Sequence, residues 1–379
     1  MEIADSGKGD HMKVITLMTA GHIGGIETRC KDYALRSKHD NLMLILWGDG
    51  YVDEQMRALG IRVINLQASK RNIIATVHRV MKIVREEHAD ALIAMHAAPM
   101  SHLCLMWAKK HVPGIHTIAY ATSNAVDMIH IHQKERLWLR RSVIRASLKR
   151  ADDVVAISKS VKQSLIDVLD TPVDRIRTIY NGTDLGRFPY KQRTYDGDRL
   201  ELIYVGRLIE EKGVQMVIKV IASLDENVNV RYRIVGDGPY RQALEQIAAE
   251  YDKHGRIEFL GSRDDVPELL QTADVFIHMP FWEEGFGIAV VEAMSAGLIC
   301  VCAISGAMPE IVTDQVDGFL LEKGNEEALR DALLRLSSMS AEEKSRISEA
   351  AHRRAEDFSI DRYVHNLDDL VSGTWHEDV

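Results

Sequence analysis

Short apolar runs alternating with helical patterns occupy almost the whole chain, and no other feature limits the possible folds so strongly. Candidate strands fall at 13–18, 42–47, 63–66, 91–95, 115–121 and 153–157, with another at 176–180. Helical periodicity fills the intervals, as at 26–36, 73–87 and 100–111, and Ser158 is placed to N-cap a helix running to Leu169. The strand runs are nearly continuously apolar, which is the pattern of strands covered on both faces. Such units build a parallel sheet with helices on either side. The rhythm lapses at 190–199 (YKQRTYDGDR), a polar and aperiodic stretch. It resumes with strands at 202–205, 232–235, 257–260, 275–278 and 299–303, and beyond Asn325 the sequence is helical and charged. A chain of 379 residues exceeds what one ordinary core holds. The expectation is an α/β protein of two domains, 12–190 and 200–379, joined by a linker at 191–199. The last helix could pack back on the first domain. Residues 1–11 are polar and are read as an unstructured extension, native or left by cloning. Asp196 and Asp198 have a spacing sometimes seen around divalent metals, but in a linker they read as solvated charge.

Composition narrows the class. With 46% hydrophobic and 27% charged residues the chain is globular. No apolar run approaches the roughly 20 residues that span a bilayer. No secretory signal is visible, and four scattered cysteines suit a reducing compartment, so a cytoplasmic location is expected. Cys300 and Cys302 read as two buried strand positions. The net charge of −9 divides unevenly: residues 1–190 carry 27 basic and 20 acidic side chains (+7), residues 191–379 carry 20 and 36 (−16). A basic half favours an anionic ligand or surface, though uneven surface decoration explains it as well. Most of the excess lies at 134–150 (KERLWLRRSVIRASLKR), with seven basic residues against one acidic. Arg141, Arg145 and Lys149 recur every four residues along one helical face, and Trp138 adds an interfacial aromatic. That segment is either a solvated basic helix or a peripheral contact with an anionic membrane on its inner face. The acidic balance and the lack of a recognised module argue against nucleic acid.

The glycine-rich loops that follow the strands carry the chemistry. Gly24 and Gly25 after the first strand allow close approach of a ligand, but without G-x-G-x-x-G spacing. Arg207 and Lys212 share one loop after the strand at 202–205, and two fixed cations can neutralise a departing diphosphate. The stretch 280–297 (PFWEEGFGIAVVEAMSAG) opens polar and glycine-rich and then becomes helical. A helix start at Gly285, Phe286, Gly287 and Ile288 offers unpaired N–H groups to an anion. Glu284 and Glu292, eight residues apart, lie about two turns apart on one helix face or its approach and can accept hydrogen bonds from sugar hydroxyls. Gly236 and Gly261 also follow strands and converge on the same mouth. Taken singly, each of these is equally an ordinary turn, helix end or surface charge.

Together they resemble a known family. Gly24-Gly25-Ile26-Glu27, Asn181-Gly182-Thr183-Asp184, Gly206-Arg207-Leu208 with Glu211-Lys212-Gly213, Gly236-Asp237-Gly238-Pro239, and Glu284-Gly285-Phe286-Gly287 with Glu292-Ala293-Met294 are similar to the motifs of glycosyltransferase family four. These are retaining nucleotide-sugar transferases of the GT-B fold. The resemblance runs from Met12 almost to the end and implies two Rossmann-like domains with parallel sheets facing a central cleft. It implies a nucleotide-sugar donor, UDP- or GDP-linked, held by the second domain. A carbohydrate or lipid-linked acceptor would be held by the first domain, in polysaccharide, lipopolysaccharide or glycolipid synthesis. By that resemblance Arg207 and Lys212 contact the diphosphate, Glu284 the donor sugar and Glu292 the ribose. The backbone around Gly261 and Arg263 meets the base, and Gly24 and Gly25 approach the phosphates. No catalytic metal or other cofactor is implied. Relatives carry a histidine after the fifth strand, where this chain has Thr117-Ile118-Ala119-Tyr120-Ala121. His96, Tyr120 and Ser123 are the remaining acceptor-side candidates. The missing histidine leaves a sugar-nucleotide-binding protein with weak turnover as the alternative.

Overall fold

The computed structural model describes residues 11–19, 25–48, 51–69, 72–96, 98–130, 137–195 and 199–377. The chain divides into two compact units, one formed by the residues up to Gly182 together with those from Ile360 onward, the other by Thr183–Ser359.

The first unit holds β1 (Lys13–Met18), β2 (Asp40–Ile45), β3 (Arg62–Asn65), β4 (Ala91–Ala94), β5 (His116–Ala121), β6 (Asp153–Ala156) and β7 (Ile176–Thr178). Its sheet runs β3-β2-β1-β4-β5-β6-β7, and every pairing is parallel. β4 and β6 are buried at every position, which is why β4 and the part of β6 after Asp153 read as apolar runs. The helix Ile360–Ser372 belongs to this unit and seats Tyr363, Val364, Leu367 and Val371 in its interior. Asp368 fixes it there, accepting from the Ser37 hydroxyl at 2.6 Å and the Lys38 N–H at 2.9 Å.

The second unit holds β8 (Leu200–Val205), β9 (Val230–Val235), β10 (Ile257–Gly261), β11 (Val275–His278), β12 (Ile299–Ala303) and β13 (Gly318–Leu321). The order is β10-β9-β8-β11-β12-β13, again all parallel. β13 was absent from the sequence expectation. It is a four-residue edge strand, GFLL, too short to show a period. Cys300 and Cys302 are buried strand positions, as read from the sequence.

The stretch expected as a linker behaves otherwise. Arg193 is only 8% exposed. Its guanidinium donates to the carbonyls of Ala273 (2.6 Å), Ala296 (2.8 Å) and Leu270 (3.0 Å), so Arg193, with half-buried Tyr195, anchors the stretch to the second unit while Lys191, Gln192 and Thr194 stay exposed. The chain crosses between units after Gly182 instead. Asp196 and Asp198 lie outside the described residues.

Candidate functional site

The winding of the six-stranded sheet reverses between β8 and β11. From β8 the chain proceeds outward through β9 and β10, and from β11 it proceeds the other way through β12 and β13. Open α/β sheets bind ligands at the carboxyl ends of strands where such a reversal parts the loops. Here the two loops beside the reversal are the one after β8, with Arg207 and Lys212, and the one after β11, with Trp282 and Glu284.

Their side chains meet. Lys212 Nζ lies 2.5 Å from Glu284 Oε2, and 5.1 Å from the centre of the Trp282 ring. His278, the last residue of β11, places Nε2 at 3.1 Å from the same carboxylate oxygen. Backbone contacts set this geometry. Gly213, which follows Lys212, has φ +72°, and a Cβ there would fall 2.0 Å from the Met279 carbonyl oxygen. Only glycine lets the two loops approach so closely. The main chain of Glu284 is clamped from the loop after β12. Its N–H donates to Ser305 Oγ at 3.2 Å, and its carbonyl accepts from the Ala307 N–H at 2.9 Å. A Cβ on Gly306 would reach 2.0 Å from that carbonyl oxygen. Glu283 turns the other way, accepting from the Gly306 N–H at 2.6 Å and pairing with Lys323.

The electrostatics follow from this packing. Burial alone would raise the Glu284 carboxyl, but the His278 hydrogen bond and the Lys212 charge outweigh it and hold the group well below the usual carboxylate range. Burial lowers His278 despite its bond to Glu284, so the ring is neutral near pH 7. The result is a carboxylate held beside an ammonium, at the mouth of a parallel sheet.

The remaining expected residues fall into place unevenly. Arg207 is exposed, and its guanidinium has no partner among the described residues. Gly236 follows β9 and donates its N–H to the Gly261 carbonyl at 2.8 Å. Arg263 is forked onto Asp265 at 2.7 and 2.6 Å. Gly287 caps the helix Ile288–Ser295 with φ +98°. Glu284 therefore stands ahead of the helix, and Glu292, half-buried, lies one turn inside it, so the two carboxylates do not share a helix face. Phe286 is 2% exposed, with its ring edge-on to Phe358. The sequence reading missed His278 and Trp282. A histidine closing an otherwise apolar strand, two residues ahead of Pro280, was the available signal for the former.

The first unit has a reversal of its own, between β1 and β4. The Thr19 N–H reaches His96 Nδ1 at 3.4 Å, and His96 Nε2 is 3.3 Å from Glu27 Oε1. Gly25 opens the helix Gly25–Arg36 nearby, while Gly24 lies outside the described residues. Tyr120 is 1% exposed, and its hydroxyl lies beside Tyr363. The Ser123 hydroxyl is also buried and has no partner among the described residues. Of the three candidates only His96 keeps a polar group at the reversal. His116 sits at the other end of β5 and pairs with Asp153 at 2.8 Å, a structural contact. In the basic segment, the helix Leu137–Leu148 buries Ile144 and Leu148 and leaves Trp138 72% exposed. Arg141 donates to the Val168 carbonyl at 3.0 Å and Arg145 pairs with Asp170, so part of the basic face is turned to the protein. No helix among the described residues is long and apolar enough to cross a membrane.

Comparison with known proteins bears on the family and the fold. Residues 23–187 match the model for Glycosyltransferase Family 4, and residues 190–354 the model for Glycosyl transferases group 1. An uncharacterized glycosyltransferase of Methanocaldococcus jannaschii is 27% identical over 248 residues, 61% of this chain and 60% of that protein. The chain thus spans about three fifths of that relative's length. N-acetyl-alpha-D-glucosaminyl L-malate synthase of Bacillus anthracis is 26% identical over 271 residues, 69% of each chain. The crystal structure of Anabaena HepE in complex with UDP superposes with a TM-score of 0.82 at 21% identity, covering 96% of this chain and all of that one, which is a likeness of fold.

Proposed function

Because the chain belongs to the GT-B glycosyltransferases of family four, its two halves matching the family's two models, we propose that it moves a sugar from a nucleoside-diphosphate donor to an acceptor hydroxyl with retention of anomeric configuration. The observation that carries this reading is the Lys212–Glu284 pair, 2.5 Å apart at the reversal of the second sheet. Lys212 and the unpaired Arg207 neutralise the diphosphate as its bond to the sugar breaks, without a metal ion. The helix start at Ile288 adds N–H groups aimed at the same charge. Glu284 accepts from donor-sugar hydroxyls, Glu292 from the ribose, and the backbone near Gly261 meets the base. The acceptor hydroxyl attacks from the face the diphosphate leaves and passes its proton to that leaving group. A UDP- or GDP-sugar fits this arrangement, and UDP in the Anabaena structure supports the former. The acceptor is a growing polysaccharide, lipopolysaccharide or glycolipid. The exposed Trp138 on a basic helix supports peripheral contact with an anionic membrane, which liposome co-sedimentation with and without anionic lipid would detect.

The test of the activity is turnover of a panel of UDP- and GDP-sugars by the wild type, Glu284→Ala and Lys212→Ala. Losses of roughly 100-fold or more in kcat are expected for both variants. Full turnover in both would refute the assignment. Nucleotide binding with neither transfer nor donor hydrolysis in the wild type would point to a binding protein.

A further inference from the structure

Glu284 has two holders on one oxygen. Lys212 Nζ and His278 Nε2 both contact Oε2, at 2.5 and 3.1 Å, while Oε1 makes no hydrogen bond among the described residues. Lys212 cannot be a permanent holder if it also neutralises a diphosphate. His278 has no such second duty: its side chain is 4% exposed, and its other nitrogen, Nδ1, is buried without a partner. A proton on Nδ1 would therefore be a desolvated donor with nowhere to go. A lone pair on Nε2 would face the carboxylate. The arrangement is satisfied only by a neutral ring carrying its proton on Nε2.

Resting on the site reading above, we propose that His278 is a positioning residue: it donates from Nε2 to Glu284 Oε2 and keeps the carboxylate oriented when Lys212 turns to the donor phosphates, so that Oε1 stays available to a hydroxyl of the donor sugar. Every element around the pair is consistent with this. From the loop after β8 the facing charge is Lys212. From β8 itself the facing group is the uncharged Tyr204 phenol, whose hydroxyl donates to the Arg207 carbonyl at 3.2 Å and so does not compete for Glu284. On β11 the neighbour is the Phe276 ring, 6.4 Å from the imidazole centre. Without His278, carboxylate and diphosphate would compete for one ammonium group.

The experiment has a spectroscopic and a kinetic arm, both on the full chain. Nitrogen NMR of imidazole-labelled protein, with the His278 signal assigned by its loss in His278→Gln, should show an uncharged ring protonated on Nε2 at pH 7. An imidazolium at that pH, or a proton on Nδ1, overturns the proposal. In the kinetic arm, with whichever UDP- or GDP-sugar the wild type turns over, His278→Leu should lower kcat/KM by about 10- to 100-fold, as loss of an orienting partner does. It should also move the acid limb of the pH profile upward, because Glu284 becomes easier to protonate. His278→Gln, whose amide can still donate, should recover much of the rate and of the profile. The melting temperature of each variant with and without UDP checks that it is folded, and if His278→Leu is not, the Gln variant and the NMR arm decide. A folded Leu variant with wild-type kcat/KM and pH profile, beside a crippled Glu284→Gln, refutes the role of His278 alone. Full activity in Glu284→Gln removes the site reading and this inference with it.

Discussion

Lys212 and Glu284 serve the fold as well as the chemistry, and the two uses can be separated by comparing Lys212 with Arg207. Side-chain exposures of 16% and 14% put the Lys212–Glu284 pair largely out of water, so removing the ammonium strands a carboxylate that only His278 then serves. Lys212→Ala is expected to cost about 3 kcal/mol of stability in addition to its loss of turnover. Arg207 is exposed with no partner among the described residues, so Arg207→Ala should change stability by less than about 0.5 kcal/mol while lowering kcat through the lost charge on the departing diphosphate. Thermal melts and donor-saturation curves of both variants check the contrast. Equal losses of melting temperature would contradict the burial argument. The pH dependence has a defined sign. Glu284 is depressed in the folded state, so its contribution is present above the unfolded value of about 4.3 and is lost as the pH falls below it.

At the scale of elements, the loops after the strands behave as one stacked layer. Gly306 is where the loop after β12 presses on the Glu284 carbonyl, 2.0 Å from where a Cβ would stand. Backbone atoms cannot swing aside as a side-chain tip can, so Gly306→Ala must push the two loops apart. A loss of about 1–3 kcal/mol and a kcat reduced in proportion to the displacement of Glu284 are expected, read by melting and turnover. The helix Pro99–His111 offers a second test. His102 on it is fully buried, neither ring nitrogen has a partner among the described residues, and burial followed by the nearby Arg140 charge pushes its pKa from 6.5 down to about 4. Between those values the unfolded chain binds the proton and the folded one does not, so stability of the first unit should fall as pH drops, by up to roughly 3 kcal/mol. His102→Leu should flatten that slope in denaturant titrations at pH 7 and pH 4.5. These cases show where the sequence was readable. Glycine after a strand was legible as a bare approach, and a strand such as β4 was legible because burial on both faces leaves an unbroken apolar run. His278 and His102 were not, because one sequence cannot tell a histidine at a strand end or on a helix face from its solvated equivalent. The partners that decide the matter, Glu284 for one and none among the described residues for the other, are known only after folding. The stretch 190–199 misled for a related reason: its polarity reads as solvent exposure, yet the Arg193 donors are spent on carbonyls at the ends of buried elements.

The whole chain is threaded so that the first unit is completed last. It is left after Gly182 and rejoined at Ile360, once the second unit has been traversed. The returning helix Ile360–Ser372 buries Ile360, Tyr363, Val364, Leu367, Leu370 and Val371. At about 1.5–3 kcal/mol for each large apolar side chain, that burial is of order 10 kcal/mol, as much as an ordinary domain's net stability of roughly 5–15 kcal/mol. Polar contacts add to it, since Asp368 meets both the Ser37 hydroxyl and the Lys38 N–H, and the Val371 carbonyl contacts His116 Nδ1 at 3.4 Å. A chain ending at Ser359 should therefore keep the second unit and lose the first. Calorimetry of the truncated protein should show one transition fewer, or one displaced far downward, and hydrogen exchange should locate the loss in β1, β2 and β5. Asp368→Ala, which leaves the apolar face intact, should reproduce only a part of it, about 1–3 kcal/mol. If truncation left exchange in those strands unchanged, the helix would be an appendage to the first unit and not part of its core. Thr19 and His96, which meet at the reversal of the first sheet, would then owe nothing to the end of the chain.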